Sequence, residues 1–419
     1  MRGIKLKSNK ELTKDKKIVI FDKPQYVYIP LICSNDEDIT LKVRRGSNVL
    51  VGSVIGINNK WNIPIHSTVS GKVIDYEEKY IYNGKLIKTV KIENDFNDKT
   101  IEVDNLKEID KYTKKEFIQI LKDCGIRGMG GADFPTYIKY DTKKKIKNLI
   151  INAVECEPYI TADYHIIKEN ASQILETIDA IMTINKIEKA YFAIKKNNKS
   201  LINIINTIIG TYPNIQLVLT PDIYPIGWEK KLAQYVLKKT YDNLPSEIDT
   251  VINNVSTIYA IYNALKYKRP IINRLVTVAG DGLKKSSIVD VKIGQDVSEV
   301  LDKLGHKKKD LLFISGGPMM GKTIPDDNFT ITSNINAILL LKDNDNEIVK
   351  TCIRCGKCAS ICPAKLSPIL IKENINNKKE LKQLNVSRCI ECGLCSYICP
   401  AKILLRELVI RAKKNVGDE

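Results

Sequence analysis

The sequence predicts a multidomain protein of mixed α/β and α+β class, and three observations support that prediction. Short apolar runs separated by turn residues fill residues 17–100, a pattern typical of β-strands. The middle of the chain alternates strand and helix patterns, which indicates a parallel sheet covered by helices. Eight of the eleven cysteines fall in two runs near the C-terminal end. A length of 419 residues also exceeds one average domain.

The N-terminal segment is expected to form five strands and to fold as a small β domain. Its apolar runs lie at residues 17–21, 26–31, 49–55, 73–76 and 86–92. The spacing of glycines from Arg45 to Val73 is typical of a lipoyl-like barrel-sandwich. Lys60 occupies the place where such carrier domains bear their cofactor. Its neighbours Asn59 and Trp61 are unusual for modification, so we expect a structural barrel.

A glycine-rich loop is expected after the first helix of the middle segment. The helix begins after Thr113, because Thr113 and Glu116 form a capping-box pattern before an apolar helical repeat. Four glycines then fall within the seven residues from Gly125 to Gly131. They predict a loop that lets main-chain N–H groups approach a ligand, often a phosphate. A tight structural turn is the alternative that the glycines alone leave open.

Strands and helices alternate after this loop. We expect strands at residues 147–153, 189–194, 215–219 and 249–253 and helices at 164–184, 198–209 and 227–239. In a parallel sheet, ligands sit beyond the carboxyl ends of the strands. Polar residues at or just after strand ends are therefore site candidates: Asn152, Glu155, Glu157, Asn253 and Asn254. Ordinary loop polarity is the other explanation for these residues.

A second β-rich unit is expected at residues 272–335. Its strands are predicted at 274–279, 288–292 and 310–315 and its helix at 297–304. The segment from Gly316 to Thr323 matches the P-loop pattern, and a strand precedes it, as a P-loop requires. No helix pattern follows, since Pro325 and polar residues come next. A P-loop holds phosphate at the N-terminus of the helix that follows it, so we expect a turn here instead of a nucleotide site.

The eight C-terminal cysteines form two C-x2-C-x2-C-x3-C-P runs, the ligand pattern of paired [4Fe–4S] clusters. Three thiolates of each run hold one cluster, and the fourth holds the other. We therefore assign one cluster to Cys352, Cys355, Cys358 and Cys399, and the other to Cys389, Cys392, Cys395 and Cys362. The runs match at 10 of 14 positions, which indicates a duplicated unit. A disulfide framework is disfavoured because no secretory signal is recognisable. A zinc ribbon is disfavoured because it uses two CxxC pairs and not two runs of four cysteines.

Charge and hydropathy limit the possible partners. The net charge is +17, with lysines scattered in runs such as 143–145 and 307–309, which indicates mostly solvated faces. Attraction to an anionic membrane surface or an acidic redox partner is the other explanation. Localised basic and stacking residues are missing, so nucleic acid is not an expected partner. We expect no membrane span, a helix within 368–383 that links the two cysteine runs, and an amphipathic helix at 403–414 that packs on them.

Four motifs resemble those of a known family in their order along the chain. They are the glycine-rich loop with Phe134 and Lys139, the NAxExEP segment from Asn152, the segment 224–230, and Asn253-Asn254-Val255 with Thr257. Together they resemble the FMN- and NADH-binding subunit of respiratory complex I. Nearly the whole chain is more similar to the C subunit of the Rnf complex, the ferredoxin:NAD+ oxidoreductase. That family shares HSxVSGxV (residues 66–73), ECEPYITADY (residues 155–164) and two cluster runs.

The resemblance implies four domains and a set of cofactor residues. The expected domains are a barrel-sandwich domain at 1–102, a Rossmann-like FMN/NADH-binding α/β domain at 103–268, a β-grasp module at 269–345 and an α-helical two-[4Fe–4S] ferredoxin-like domain at 346–419. The implied FMN residues are Gly128, Gly130, Gly131, Ala132, Lys139, Asn152, Asn253, Asn254 and Thr257. Those that match positions at NADH are Phe134, Glu155 and Glu229, with Gly227 in the same segment. No side chain is expected to be catalytic in the covalent sense.

The resemblance also implies a function. The chain would be a peripheral electron-transfer subunit on the cytoplasmic side of the cell membrane. It would pass electrons between NAD(H), FMN, two [4Fe–4S] clusters and ferredoxin, while other Rnf-type membrane subunits transport the ion. Asp133 departs from the usual neutral residue and would add a negative charge beside the dinucleotide. Cys33-Ser34-Asn35 replaces another usual segment. These departures support two alternatives: an iron–sulfur relay with a decayed NADH site, or a soluble Rnf-like donor to a reductase.

Overall fold

The computed structural model describes residues 2–306, 311–342 and 348–417. The described strands form four sheets, and helices dominate the C-terminal segment. The mixed α/β and α+β class is therefore confirmed. The lysine run at residues 307–309 and the start of the strand expected at residue 310 lie outside the described residues. The domain limits stay predictions, so regions are defined below by the elements they contain.

Two small antiparallel sheets form the barrel region (residues 26–94). The strands of the N-terminal segment are β1 (Ile18–Phe21), β2 (Tyr26–Pro30), β3 (Ile39–Leu41), β4 (Asn48–Val49), β5 (Val54–Asn58), β6 (Ile63–His66), β7 (Gly71–Tyr80) and β8 (Leu86–Asn94). Sheets of order β2-β8-β7-β4 and β3-β5-β6 enclose a core that includes Val27, Ile55 and Val90. The strand expected at 49–55 is wrong: a turn divides it, and Gly52 takes a φ of +92° there.

The α/β region (residues 114–267) contains one parallel sheet between helices. Its elements are α1 (Lys114–Asp123), α2 (Thr136–Tyr140), β9 (Asn148–Ala153), α3 (Ala162–Asn185), β10 (Lys189–Lys195), α4 (Lys199–Ile208), β11 (Ile215–Thr220), α5 (Glu229–Leu237), β12 (Thr250–Asn254) and α6 (Val255–Tyr267). The strand order is β11-β10-β9-β12, with every pair parallel. The expected capping box is present, because Thr113 and Glu116 exchange side-chain and main-chain hydrogen bonds at the start of α1.

A six-stranded sheet forms the mixed-sheet region (residues 273–342 with β1). It adds β13 (Asn273–Ala279), β14 (Ser287–Lys292), α7 (Val297–Leu304), β15 (Leu311–Ser315), β16 (Lys322–Ile324) and β17 (Ala337–Lys342), in the order β1-β14-β13-β17-β15-β16. Strand β1 pairs in parallel with β14 and therefore belongs to this sheet, although the barrel strands follow it directly in the chain. The P-loop-like segment is a turn between antiparallel β15 and β16, as expected, and β16 begins at Lys322 within it.

Short helices form the cysteine region (residues 348–417). They are α8 (Lys357–Ile361), α9 (Pro368–Glu373), α10 (Lys378–Gln383), α11 (Leu394–Tyr397) and α12 (Leu405–Gly417). The segment 368–383, which we expect to contain a helix that links the two cysteine runs, is helical but interrupted. It is two helices, because Asn377 accepts a hydrogen bond from the N–H of Glu380 and starts α10 anew. Helix α12 buries Leu405, Val409 and Ala412 against two apolar clusters of this region.

A helix that crosses a bilayer must be both long and predominantly apolar. None of the described helices combines the length and the apolar character needed to cross a membrane.

Candidate functional site

Strands β9 and β12 lie side by side in the parallel sheet, with β12 at its edge, although two strands separate them in the chain. Asn152 of β9 and Asn254 of β12 are register partners at the carboxyl ends of these strands. The strand order reverses between β9 and β12, which creates a topological switch point. Ligands of open α/β sheets bind in the crevice at such a point. The structure therefore brings Asn152, Asn253 and Asn254 to one crevice.

The glycine-rich loop packs against this crevice. A Cβ added to Gly130 would lie 3.1 Å from the Cβ of Asn254, so glycine permits the close approach. The main-chain N–H of Met129 donates a 2.9 Å hydrogen bond to Oγ1 of Thr257, on α6. Two further predicted residues, Asn254 and Thr257, are thus in contact with the loop.

Three consecutive main-chain amides of the loop are free to bind a ligand. Gly130, Gly131 and Ala132 are exposed, and within the described part of the chain their N–H groups donate no hydrogen bond. The loop closes behind them, since the N–H of Asp133 donates to the carbonyl of Gly128 at 3.1 Å. Gly131 takes a φ of +116°, a conformation that favours glycine. A row of free amides suits phosphate or other acceptor atoms of a flavin nucleotide.

Two of the predicted cofactor residues hold neighbouring segments at the crevice. Asn152 donates from Nδ2 to the carbonyl of Gly227 at 2.7 Å. Lys139 donates from Nζ to the carbonyl of Ile252 at 2.7 Å, and its Nζ lies 3.7 Å from a carboxylate oxygen of Glu229. The segment that begins α5 is therefore fixed beside the ends of β9 and β12.

Asn253 contains an acceptor that the described residues leave unsatisfied. Its Nδ2 donates to the hydroxyl of Tyr140, while its buried Oδ1 has no hydrogen-bond partner among the described residues. Burial raises the pKa of Tyr140, so this hydroxyl stays neutral. A buried acceptor without a partner is uncommon and indicates a place that a ligand donor or a water would occupy.

Glu155 is largely enclosed and faces the N-terminal segment. Its carboxylate lies 3.1 Å from Nζ of Lys10, accepts from the N–H of Asp163 at 2.8 Å, and is only 7% exposed. Burial raises the pKa of Glu155 to about 7 and lowers the pKa of Lys10, in both cases against their mutual attraction. Lys10 was not singled out from the sequence, because 145 residues separate it from Glu155.

Glu157 is directed at the mixed-sheet region. Its two carboxylate oxygens accept hydrogen bonds from the main-chain N–H groups of Met319 and Met320, at 3.1 and 2.8 Å. Burial raises its pKa to about 7. This residue therefore fixes the turn between β15 and β16, and the crevice does not use it.

Asp133 does not place a bare charge beside the crevice. Its carboxylate is buried and lies 2.9 Å from Nη1 of Arg127. It also accepts from the N–H of Ser34 at 3.2 Å and from the hydroxyl of Ser333 at 2.6 Å. The negative charge expected at Asp133 is present, but Arg127 neutralises it and two other regions of the chain enclose it. Asp133 ties the loop to the barrel and mixed-sheet regions.

Phe134 follows this residue at the edge of the barrel region. Its ring meets the ring of Trp61 edge-on, with centroids 5.6 Å apart. The half-buried Phe134 therefore joins the loop to the barrel.

Two further residues support the loop although sequence patterns did not single them out. Asp163 accepts from Nδ2 of Asn254 at 2.7 Å. Arg274, on β13, donates from Nη2 to the carbonyl of Met129 at 2.7 Å and is buried. Asp163 lies within the ECEPYITADY segment, which offered a signal. Arg274 lies in an ordinary strand pattern and offered none.

The eight cysteines of the two runs gather in two places. Cys352, Cys355, Cys358 and Cys399 line one cavity, here called the outer cysteine site. Cys362, Cys389, Cys392 and Cys395 line another, here called the inner cysteine site. Each set takes three cysteines from one run and the fourth from the other, as the sequence predicts.

The thiols fit a four-iron cluster better than a single ion. Among the described residues, no group of three or more possible ligands is close enough to hold one metal ion. A cubane offers one iron to each thiolate, so its ligands surround a core and do not converge on one point. Main-chain N–H groups already donate to sulfur at both sites: Arg354 to Cys352 at 3.3 Å and Glu391 to Cys389 at 3.4 Å.

The inner cysteine site contacts the α/β region. The hydroxyl of Tyr224 donates to the carbonyl of Cys392 at 2.7 Å. Tyr224, Cys392 and Met319 belong to one buried apolar cluster, and Cys156 packs against it. The Sγ of Cys156 would lie 3.0 Å from a Cβ added to Gly227. Packed residues therefore connect the crevice to the inner site. Cys156, one of the three cysteines outside the two runs, is among these residues.

A switch-point crevice with a glycine-rich loop and two four-cysteine sites define a flavin- and iron–sulfur-containing electron-transfer protein. Family models agree: residues 121–263 match the Nuo51 FMN-binding domain, 351–403 a 4Fe-4S dicluster domain, and 1–97 the RnfC barrel sandwich hybrid domain. The chain belongs to the RnfC family, the C subunits of ion-translocating ferredoxin:NAD(+) oxidoreductase complexes. It carries an FMN-binding domain and a two-cluster domain, so both cofactor predictions are confirmed at the level of domains.

Relatives at about one-third identity carry this family assignment. The C subunit of a proton-translocating ferredoxin:NAD(+) oxidoreductase complex of Clostridium ljungdahlii is 33% identical, over 91% of this chain and 85% of the relative. A Na(+)-translocating counterpart of Acetobacterium woodii is 32% identical, over 88% and 86%. The C subunit of an ion-translocating oxidoreductase complex of Vibrio cholerae is 31% identical over 87% of this chain, which spans 49% of that relative.

Solved structures agree on the fold. A chain of an NAD+-reducing [NiFe]-hydrogenase in the H2-reduced state superposes with a TM-score of 0.52 at 15% identity. The match covers 73% of this chain and 63% of the hydrogenase chain. The relatives are subunits of multi-subunit complexes, so other subunits are implied for this family.

Proposed function

We propose that this chain is the peripheral electron-transfer subunit of a membrane-bound Rnf-type complex. It would exchange electrons with NAD(H) at the crevice and with ferredoxin through the cysteine region, while other subunits transport the ion. The names of the relatives from Clostridium and Acetobacterium support both electron partners. FMN, when bound, exchanges electron pairs with a nicotinamide and single electrons with iron–sulfur clusters. The chain's own residues would bind and orient the cofactors and neutralise charge at the site.

The residues proposed for FMN fall into three groups. The free amides of Gly130, Gly131 and Ala132 would receive acceptor atoms of the nucleotide, and Gly128 closes their loop. Lys139 would supply the positive charge near the phosphate or ribityl chain, 3.7 Å from Glu229. The pocket would be completed by Asn152, Asn253, Asn254 and Thr257. The unpartnered Oδ1 of Asn253 supports this assignment, because a ligand donor could satisfy it.

The residues proposed for NAD(H) lie around the start of α5. Glu229 is the first residue of that helix, follows Gly227, and has a half-exposed side chain. Glu155 would act together with Lys10, which neutralises it, so that an anionic dinucleotide does not meet a bare carboxylate. Phe134 would bound the site next to Trp61. No side chain in this group has to form a covalent bond.

The thiolates of the two cysteine sites are the proposed cluster ligands. One cluster would use Cys352, Cys355, Cys358 and Cys399, and the other Cys362, Cys389, Cys392 and Cys395. Each set lines a single cavity, which supports the assignment.

The proposed location is the cytoplasmic side of the cell membrane, as a peripheral subunit held by membrane subunits. Large apolar side chains near the outer cysteine site support contacts with other subunits there. Ile353, Leu370 and Leu404 are 68%, 44% and 60% exposed, on segments that line or flank that cavity. Exposed apolar groups of this kind are typical of protein interfaces. The occupant we propose is another subunit of the complex, since the relatives are complex subunits.

The observation that carries the proposal is the hydrogen bond from Tyr224 to Cys392, because it joins the crevice side of the chain to a cluster site. The test is an anaerobic NADH titration of the purified chain with FMN and reconstituted clusters, followed by visible absorbance. NADH should bleach the flavin band and then the cluster bands. If dithionite bleaches the clusters and NADH changes neither band, the proposed dinucleotide function is wrong.

A variant sharpens this test. Glu155→Ala should lower kcat/KM for NADH about 10- to 100-fold, the range for losing a hydrogen bond to a charged group. Its iron content and its reduction by dithionite should match the parent chain. Unchanged NADH kinetics would remove Glu155 from the proposed site.

The alternative of an iron–sulfur relay without NADH loses its motivation, because Asp133 is neutralised by Arg127. It predicts clusters that dithionite reduces and NADH does not. A soluble donor to a reductase would show NADH activity without co-purifying membrane subunits. The altered segment at Cys33 and Ser34 motivates that second alternative, although Ser34 contacts Asp133 and therefore serves the loop.

A further inference from the structure

Four cations converge on one open cavity between the α/β and cysteine regions. Arg2, Lys231, Lys238 and Lys365 line it together with Gln234, Tyr235 and Pro363. The cavity measures about 580 Å³. Among the described residues that line it there is no carboxylate. This cavity, with the four cations that line it, is here called the basic groove.

The cations of the basic groove come from three separate segments of the chain. Arg2 is held by the end of α8, because its Nη1 donates to the carbonyls of Ala359 and Cys362 at 3.1 and 3.3 Å. Lys231 lies in the first turn of α5, and Lys238 follows its last residue. Lys365 is exposed, three residues after Cys362. Tertiary packing brings these charges together, because the three segments are far apart in the sequence.

The positive charges of the groove affect one another. Burial lowers the pKa of Lys231, and the neighbouring charges of Lys365 and Arg2 lower it further. Like charges held near one another destabilise a protein unless an anion lies between them. An anionic partner from outside the chain would relieve this repulsion.

The shape of the groove favours an extended acidic surface over a small anion. The guanidinium of Arg2 already donates to two carbonyls, and Nζ of Lys238 donates to the carbonyl of Tyr235 at 3.0 Å. A phosphate site would need donors that point at one position and are not already bonded to acceptors of the chain. Here separate charges are spread over an open cavity, a distribution that suits several carboxylates on another protein.

The position of the groove indicates what such a partner does. Pro363 lines the groove and follows Cys362, a proposed ligand of the inner cluster. A protein docked there would come within a few residues of that ligand. Encounters between redox proteins are small and charge-steered, so four cations are sufficient to guide one.

We propose that the basic groove is the docking surface for an acidic, iron–sulfur-carrying protein that exchanges electrons with the inner cysteine site. The proposal rests on the proposed function, in that the inner site must hold a cluster. One electron passes per encounter: the donor's cluster is oxidised by one electron and the chain's cluster is reduced by one. No proton or bond is exchanged.

The test uses the full chain with both clusters and a purified 2[4Fe–4S] ferredoxin, reduced beforehand, as the acidic probe. The variant is the double charge reversal Lys231→Glu and Lys238→Glu. The matched control reverses two exposed lysines elsewhere, Lys143→Glu and Lys144→Glu, so both variants carry the same net charge. Stopped-flow absorbance under anaerobic conditions gives the bimolecular rate of cluster reduction at low and high salt.

We expect the groove variant to react with ferredoxin at least about tenfold more slowly than the parent chain at low salt, with most of the salt dependence lost. The control should keep the parent's rate within a factor of about two. Full reduction by dithionite in every protein verifies that the clusters are intact.

Two results would overturn the proposal. The first is an unchanged ferredoxin rate in the groove variant, and the second is an equal loss in the control. If the unchanged ferredoxin rate comes with a raised KM for NADH, the groove binds the dinucleotide phosphates instead. A parent chain that NADH cannot reduce would defeat the proposed function, whereas the ferredoxin comparison would still decide the role of the groove.

Discussion

The two halves of the cysteine repeat adopt the same backbone and have very different surroundings. Gly356 and Gly393, at equivalent positions, take φ values of +72° and +75°. The residues before the second cysteines agree as well, since Arg354 and Glu391 have φ values of +53° and +57°. Both donate their N–H to the sulfur of the first cysteine in their run. The local motif therefore determines the conformation that surrounds a cluster.

The surroundings differ because the inner site is packed between regions. The side chain of Arg354 is 83% exposed, whereas that of Glu391 is 32% exposed and lies 3.0 Å from Nζ of Lys413. Arg406 donates to the carbonyls of Glu391 and Met320, at 2.9 and 2.8 Å. At the outer site, Arg354 lies 3.6 Å from Glu373 of the same region, and the carbonyl of Ala359 accepts a hydrogen bond from Arg2 at 3.1 Å. Duplication thus produced two similar sites, and packing of the inner site against the α/β and mixed-sheet regions made it internal.

The largest expected effect follows from replacing the second cysteine of each run. Cys392→Ser and Cys355→Ser should each lose one cluster and about half of the iron. NADH should still reduce the remaining cluster of Cys355→Ser, because its inner site keeps its contact with the α/β region. It should fail to reduce the remaining cluster of Cys392→Ser. Iron analysis and low-temperature EPR after NADH addition measure both quantities.

Dithionite provides the control for this pair, since it should reduce the remaining cluster in either variant. Equal reduction by NADH in the two variants would show that the inner site has no special position. Full iron content in either one would contradict the ligand assignment.

The equivalent glycines should also differ when each is replaced by alanine. At both positions the left-handed conformation costs alanine about 1–2 kcal/mol. A Cβ at Gly356 would meet nothing within 4 Å, whereas one at Gly393 would lie 2.6 Å from the carbonyl oxygen of Met319. Gly393→Ala should therefore cost about 1–3 kcal/mol more, the range for overpacking. Thermal unfolding of the cluster-loaded proteins compares them, and equal midpoints would mean that the Met319 contact is not maintained in solution.

A smaller effect is expected from a single hydroxyl. Tyr224→Phe removes the hydrogen bond to the carbonyl of Cys392 and should lower stability by about 1–2 kcal/mol. It should also change the EPR spectrum of the inner cluster alone. Tyr397→Phe is the matched control, because Tyr397 is 57% exposed and should tolerate the change. A similar response from the two variants would argue against a specific role for Tyr224.

The smallest expected effect concerns pH. Glu157 holds the turn that covers Gly393, and burial raises its pKa from 4.5 to about 7. The folded protein then keeps a proton that the unfolded chain releases above pH 4.5. The resulting stability is complete below about pH 4.5 and is lost as the pH rises through about 7.

Glu157→Gln tests this contribution, because glutamine is neutral throughout. The thermal midpoint of the variant should depend less on pH between about 5 and 8 than that of the parent chain. Some dependence should remain, since Glu155 also has a pKa of about 7. An identical pH profile in the two proteins would exclude a contribution from Glu157.

Much of the fold was accessible from sequence patterns that act over short distances. The alternation from residue 148 to 254 predicted every strand of the parallel sheet, because each strand and helix is long enough to show its own apolar period. The predicted element boundaries were wrong where a break of only a few residues divides two elements. The turn at Gly52 and the cap at Asn377 divided elements that looked continuous, since short breaks hardly change an apolar pattern.

The sequence by itself determined the cofactor class and the ligand candidates. Cysteine spacing and the glycine-rich loop suffice because iron and phosphate are held by residues close together in the chain. Tertiary structure alone decided which charges are neutralised and which site is internal. Asp133 finds Arg127 and Ser333, Glu155 finds Lys10, and the groove gathers cations from three segments. Such partners are far apart in sequence, and only burial makes their electrostatic interactions strong enough to matter.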